Sequence, residues 1–257
     1  MGGASSTAGG NVRRQLDAVA VDSTISGIRR FLRSLGIHSG EYVTPLCLVL
    51  AGAFLWAEKQ EKHVPAVVLK GLASLCFVIL GLLTSPGTPM ARQIVTGLIL
   101  GCVADVMLNL RWVFKEKGQM IFLIGILIFL SGHIFYLAAI LPMCKSKLLC
   151  ILIGVVLTAL LMVWIFRRIT AKKAFKIFGV FYIGAIMILN CVAIGNLISD
   201  PSAFTGVFAV GAVLFLISDI VLILNTFGSE TKTSLRITNI VLYYIGQLLI
   251  ALSLKFI

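Results

Sequence analysis

From residue 44 to the C-terminus the chain alternates between long apolar runs and short polar gaps, and each run approaches the ~20 residues of helix that cross a ~30 Å hydrocarbon slab. Spans are expected over residues 44–57, 64–83, 91–110, 119–141, 147–166, 175–197, 204–225 and 235–254, the first being short and extending back towards Glu41. The gaps carry turn chemistry. Pro86 and Pro89 follow the second run, Asp200-Pro201 follows the sixth, and Gly228-Ser229 follows the seventh. The pattern predicts an all-α, polytopic membrane protein: a bundle of eight transmembrane helices over residues 41–257, with a flexible or amphipathic basic extension over residues 1–40. Within that extension, residues 19–35 would form a basic amphipathic helix on a membrane surface. Gly2 and Ser6 match the myristoylation pattern, with Arg13 and Arg14 as a basic second signal.

Matched residues recur at a fixed offset of 114: Gly97 maps to Gly211, Asp105 to Asp219, Leu108 to Leu222, Gly132 to Gly246 and His133 to Gln247. Four spans in each half would insert both copies the same way round, so the expected repeat is a parallel 4+4 duplication.

Composition supports the membrane reading: 59% of residues are hydrophobic and 12% charged, against roughly 45–50% and about 25% in a soluble domain. The net charge of +12 does not point to nucleic acid, because the Lys and Arg residues lie in the gaps between apolar runs and not along one helix face. Anionic lipid headgroups are the expected counter-charge. Orientation stays open. A basic loop (Arg167, Arg168, Lys172, Lys173, Lys176) and the basic N-terminal tail (Arg29, Arg30, Arg33) fall on opposite sides of an eight-span chain. The six cysteines lack zinc or disulfide-framework spacing and read as packing residues. Tyr42, Trp56 and Trp164 read as interface anchors.

An Asp inside a span costs at least ~2.5–3.5 kcal/mol to insert, so it normally faces a polar cavity. Here there are two. Asp105 and Asp219 stand five and six residues from the ends of odd-numbered spans, roughly 8–9 Å inside one membrane face. Lys70, six residues from that face, would pair with one of them. Tyr243, Tyr244 and Gln247 would line the floor of the same cavity, with Asn109 and Asn225 nearer the mouth and His133 deeper. Such groups also serve as interhelical hydrogen-bond glue. A three-histidine zinc site is not expected, since His38 and His63 lie outside the spans and leave only His133; the sequence does not decide whether a metal ion joins the two acids, and no cofactor is implied. Two carboxyl groups in partly apolar surroundings suit acid-catalysed cleavage of an acetal-like or enol-ether bond, through an oxocarbenium transition state. A site at this depth reaches the glycerol linkage of an amphiphile. The alternatives are a small-molecule or lipid transporter and a catalytically silent lipid-binding protein.

Four blocks carry a resemblance: GLILGCVADVML from Gly97, FLIGILIFLSGHIFY from Phe122, GAVLFLISDIVL from Gly211 and YYIGQLLIALS from Tyr243. In order and spacing they resemble the YhhN family of lysoplasmalogenases, over most of the chain from about Lys70. The resemblance implies an eight-helix hydrolase of the endoplasmic reticulum membrane. Its substrate would be a lysophospholipid, the vinyl ether bond of a lysoplasmalogen being cleaved to a fatty aldehyde and glycerophosphoethanolamine or glycerophosphocholine. The family's motif aspartates fall on Asp105 and Asp219, its histidine on His133, its paired tyrosines and glutamine on Tyr243, Tyr244 and Gln247, and its lysine on Lys70. Ala104 replaces a glycine usual before the first Asp, and no proline follows Lys70.

Overall fold

A computed structural model describes residues 40–257, together with Gly27, Arg30 and Ser34. Apart from those three positions, the expected amphipathic segment 19–35 and the acylation signal at Gly2 lie outside the described residues. Among the described residues eight α-helices follow one another: α1 Val43–Lys59, α2 His63–Thr84, α3 Pro89–Val113, α4 Gly118–Ile140, α5 Lys147–Phe166, α6 Lys173–Ser199, α7 Ala203–Phe227 and α8 Thr233–Ser253. Seven of them, α2 to α8, are long and apolar enough to cross a membrane, so the chain is an integral, multi-pass helical membrane protein. The first of the eight expected spans, residues 44–57, falls in α1, whose 17 residues reach only about 25 Å.

Several helices run past the apolar runs that announce them, because polar residues cap their first turns. Thr88 accepts the backbone N–H of Ala91 ahead of Pro89, so α3 starts before its apolar run. Ser202 and Thr205 form a reciprocal capping box that starts α7 at Ala203. By contrast α6 begins at Lys173, two residues before its apolar run, with no side-chain cap.

Consecutive helices pack as antiparallel neighbours except α4 and α5, and the halves meet where α2 packs on α8 and α4 on α6. Leu148, Leu152, Val156, Leu160 and Val163 of α5 are exposed, as side chains that face lipid tails are. The closest crossings use glycine. A Cβ on Gly132 of α4 would stand 3.1 Å from the Gly97 carbonyl oxygen of α3, and one on Gly211 of α7 would stand 2.8 Å from that of Gly246 in α8. Small residues let these backbones touch, which is how membrane helices gain packing energy without a hydrophobic driving force. Gly211→Leu is therefore expected to lower the thermal midpoint in detergent by the equivalent of at least ~1–3 kcal/mol, since the obstructing atoms are backbone. Gly52→Ala, where an added Cβ meets nothing within 4 Å, should leave the midpoint unchanged or raise it.

Ion pairs and hydrogen bonds tie the helix ends. Arg236 at the start of α8 holds Glu58 at the end of α1 in a two-pronged pair, Nη2 to Oε1 at 2.8 Å and Nε to Oε2 at 2.9 Å. At the opposite end of α2 and α8, the Thr84 hydroxyl donates to the Ala251 carbonyl at 2.8 Å. The end of the bundle marked by Glu58 and Arg236 is the one that holds the site.

Candidate active site

Asp105 and Asp219 each stand eight residues before the last residue of their helices, Val113 and Phe227. That is about 12 Å along the axis, deeper than the 8–9 Å expected from the apolar runs alone, and equal for the two. Both line one cavity of about 110 Å³, well above the ~10–15 Å³ that one water needs. Its remaining wall is mostly apolar, including Phe129, Met162, Ile165, Leu222 and Ile240, with Lys70, Tyr182, Tyr243 and Asn239 among the polar groups nearest the acids.

The two carboxylates sit in unequal settings. Asp105 is saturated with donors: the Lys70 ammonium is 3.0 Å from Oδ1, and Oδ2 accepts from the hydroxyls of Tyr243 at 2.6 Å and Ser74 at 2.5 Å. Lys70 and Ser74 lie four residues apart on α2, on one face, so a single helix presents both. This pair and its hydrogen bonds offset the cost of burying each charge. Asp219 accepts one hydroxyl, that of Tyr182 on α6, at 2.6 Å to Oδ2. No cation is paired with it among the described residues.

Other expected residues fall elsewhere. Asn109 lines the cavity, but its amide donates to the backbone carbonyl of Asp105 at 3.0 Å and not to the carboxylate. The expected floor of Tyr243, Tyr244 and Gln247 is corrected to Tyr243 alone. Tyr244 is turned towards α2, its hydroxyl 3.2 Å from Ser74 Oγ and donating to the Lys70 carbonyl at 3.3 Å. Gln247 accepts the Tyr136 hydroxyl at 2.9 Å and also stands behind the cavity wall. His133 is likewise absent from the wall. Its Nδ1–H donates to the Phe129 carbonyl at 2.8 Å, and its ring is enclosed by Phe129, Tyr136, Tyr182 and Phe215. Of the side chains that hold the two aspartates, Tyr182 and Ser74 are the ones absent from the sequence expectation. Four of the chain's five tyrosines (Tyr136, Tyr182, Tyr243, Tyr244) hydrogen-bond within the polar cluster on and behind the cavity wall, a grouping that the sequence alone does not announce.

No three His, Cys, Asp or Glu side chains gather into a metal-binding group among the described residues. What the arrangement offers is acid–base chemistry: a fixed carboxylate, a second carboxyl with one free oxygen, and room for water beside an apolar wall.

The YhhN family model matches residues 65–254, which takes in every helix from α2 to α8 and all of these side chains. The chain belongs to the YhhN family. Comparison with curated proteins and with solved structures returns no match. In this YhhN protein the matched stretch begins inside α2 and leaves out α1, so the cavity and its acids lie within the family's own part of the chain.

Proposed function

We propose that this YhhN protein is a lysoplasmalogenase, an ether hydrolase that cleaves the vinyl ether bond of lysoplasmalogens. The observation that carries the reading is the unequal pair of aspartates on one cavity. Asp105, ion-paired and doubly hydrogen-bonded, acts as the fixed carboxylate, while Asp219, with one tyrosine donor and Oδ1 free, carries the proton. The proton passes from Asp219 to the second carbon of the alkenyl chain, leaving an oxocarbenium ion at the first. The Asp105 carboxylate stabilises that cation and orients a water that adds to it, and the water's proton returns to Asp219. The resulting hemiacetal breaks its bond to the glycerol oxygen, releasing a fatty aldehyde and glycerophosphoethanolamine or glycerophosphocholine. Water is the sole co-reactant, so neither a cofactor nor a redox step is required.

Cavity position favours hydrolysis over transport. Its walls come from the ends of α3, α5 and α7 and the beginnings of α2, α4, α6 and α8, all at one end of the bundle, and a transport route would need walls from both ends. Incubating the purified protein with matched vinyl-ether, alkyl-ether and ester lysophospholipids, with mass spectrometry of products, tests the proposal. Aldehyde from the vinyl ether alone is expected. Ester cleavage without aldehyde, or unchanged lipid carried into vesicles, would contradict it.

The same reading takes α1 as a further span, the first of eight, and the two halves as a parallel 4+4 duplication. Supporting it are the glycine crossings at Gly97 and Gly132 and at Gly211 and Gly246, and the supply of each aspartate's partner by the preceding helix, Lys70 from α2 and Tyr182 from α6. Residence in the endoplasmic reticulum membrane belongs to this proposal and is checked by imaging the tagged full chain.

A further inference from the structure

Three cations line the cavity on the helix-end side of the acids: Arg111 near the end of α3, Lys176 in the first turn of α6 and Arg236 in the first turn of α8. Arg236 is committed to Glu58 and also donates from Nη1 to Asn239 at 3.2 Å. Arg111 and Lys176 are not. No carboxylate pairs with either among the described residues. The Arg111 guanidinium is sandwiched 4.7 Å from the Trp112 ring and 4.4 Å from the Phe122 ring, and its Nε is buried with no hydrogen-bond partner. The Lys176 ammonium stands 5.5 Å from the Phe166 ring. Trp112, Phe122 and Phe166 are themselves walls of the cavity.

An exposed Arg or Lys at a helix end ordinarily extends to water along its own stem. Arg111 departs from that pattern: aromatic rings fix its planar fork, one donor is enclosed without an acceptor, and the surplus positive charge faces the same cavity as the acids. This arrangement suits an anion that accepts several N–H groups at once.

We propose that Arg111 and Lys176 seat the phosphodiester of a lysophospholipid, with Arg236 locked on Glu58 as the third wall of positive charge. This rests on the hydrolase reading for the identity of the lipid and adds to it the part of the substrate that the cations grip. The spacing agrees. Arg111 is six residues beyond Asp105 on α3, and Lys176 six residues before Tyr182 on α6, so the cation layer lies about 9 Å from the acid layer along the axis. Five bonds, from the ether oxygen through the three glycerol carbons to phosphorus, span about 6 Å when extended. A vinyl ether placed between the aspartates therefore leaves its phosphate within reach of the arginine and lysine side chains, and points its alkenyl chain towards the apolar wall. Lys70 is not available for this role, being held by Asp105.

The test is binding of two unreactive lipids of equal chain length to the purified full chain, read by native mass spectrometry: a 1-O-alkyl lysophosphatidylethanolamine and a 1-O-alkylglycerol that lacks the phosphate. The intact protein should prefer the phospholipid by about tenfold to a hundredfold, as expected for charge-assisted hydrogen bonds. Arg111→Gln with Lys176→Gln should remove most of that preference and leave alkylglycerol affinity unchanged, which also shows that the variant is folded. Should the double variant lose alkylglycerol too, Lys176→Gln alone, at a half-exposed position, must still cut the preference severalfold. Full preference retained in either variant overturns the proposal. Inorganic phosphate at equal concentration should not displace the phospholipid; displacement would make the seat one for free anions and overturn the lipid assignment. These lipids are not cleaved, so the result is separate from that of the aldehyde assay: absent aldehyde with intact phosphate preference removes the hydrolase reading and leaves this one.

Discussion

Asp219→Asn is expected to slow aldehyde release from lysoplasmenylethanolamine by about 10²–10⁴-fold, the usual contribution of a positioned general acid. The substitution is isosteric. Its amide oxygen can still accept the Tyr182 hydroxyl, which now stands 2.6 Å from Oδ2, so detergent stability should change little. Binding of an unreactive alkyl lysolipid should also be kept, giving a loss in kcat with a small change in KM. Tyr182→Phe removes the single donor that fixes Asp219 without removing the acid, and a smaller loss of kcat is expected. Full activity in Asp219→Asn would assign the proton to another group and end the proposed division of labour between the acids.

The second large effect concerns stability. Lys70 and Asp105 are both buried, and their pair is closed on the carboxylate side by Ser74 and Tyr243. Lys70→Met fills nearly the same volume but leaves the carboxylate with neutral donors only, a cost of about 3–5 kcal/mol for a buried pair broken on one side. Unfolding in denaturant at neutral pH should show a much lower midpoint. Adding Asp105→Asn to Lys70→Met should recover most of the loss, because no uncompensated charge remains. Activity should not recover, since the fixed carboxylate is gone. A double variant no more stable than Lys70→Met would show that the pair contributes through packing and not through charge.

Charge was legible in the sequence where helix face was not. Asp105, Asp219 and Lys70 stood out because ionised groups are expensive inside apolar runs, and the odd-numbered spans put both acids at one end whatever the packing. Which neighbours turn towards them is a different question. Helix α4 is apolar almost all round and α6 carries polar atoms on more than one side, so hydropathy alone gave no inward face for His133 or Tyr182. Rotation about the helix axis then decided the outcome: Tyr182 entered the site, while His133, Tyr244 and Gln247 came to rest behind its wall. Ser74 was readable in retrospect from its four-residue spacing to Lys70. Helix starts were misplaced because capping by Thr88 and Ser202 begins α3 and α7 ahead of their apolar stretches; the aspartates lie deeper than expected because the same helices also run past those stretches at their other ends, to Val113 and Phe227.

Proton delivery to the alkenyl chain is the step on which the mechanism turns, and hydrolysis in D₂O reads it out. With purified protein and a vinyl-ether lysolipid, the aldehyde, trapped at once as a hydrazone, should carry one solvent deuterium on the carbon next to the carbonyl. Aldehyde without that deuterium, or none from the vinyl ether while an ester lysolipid is consumed, would contradict the mechanism at its first step.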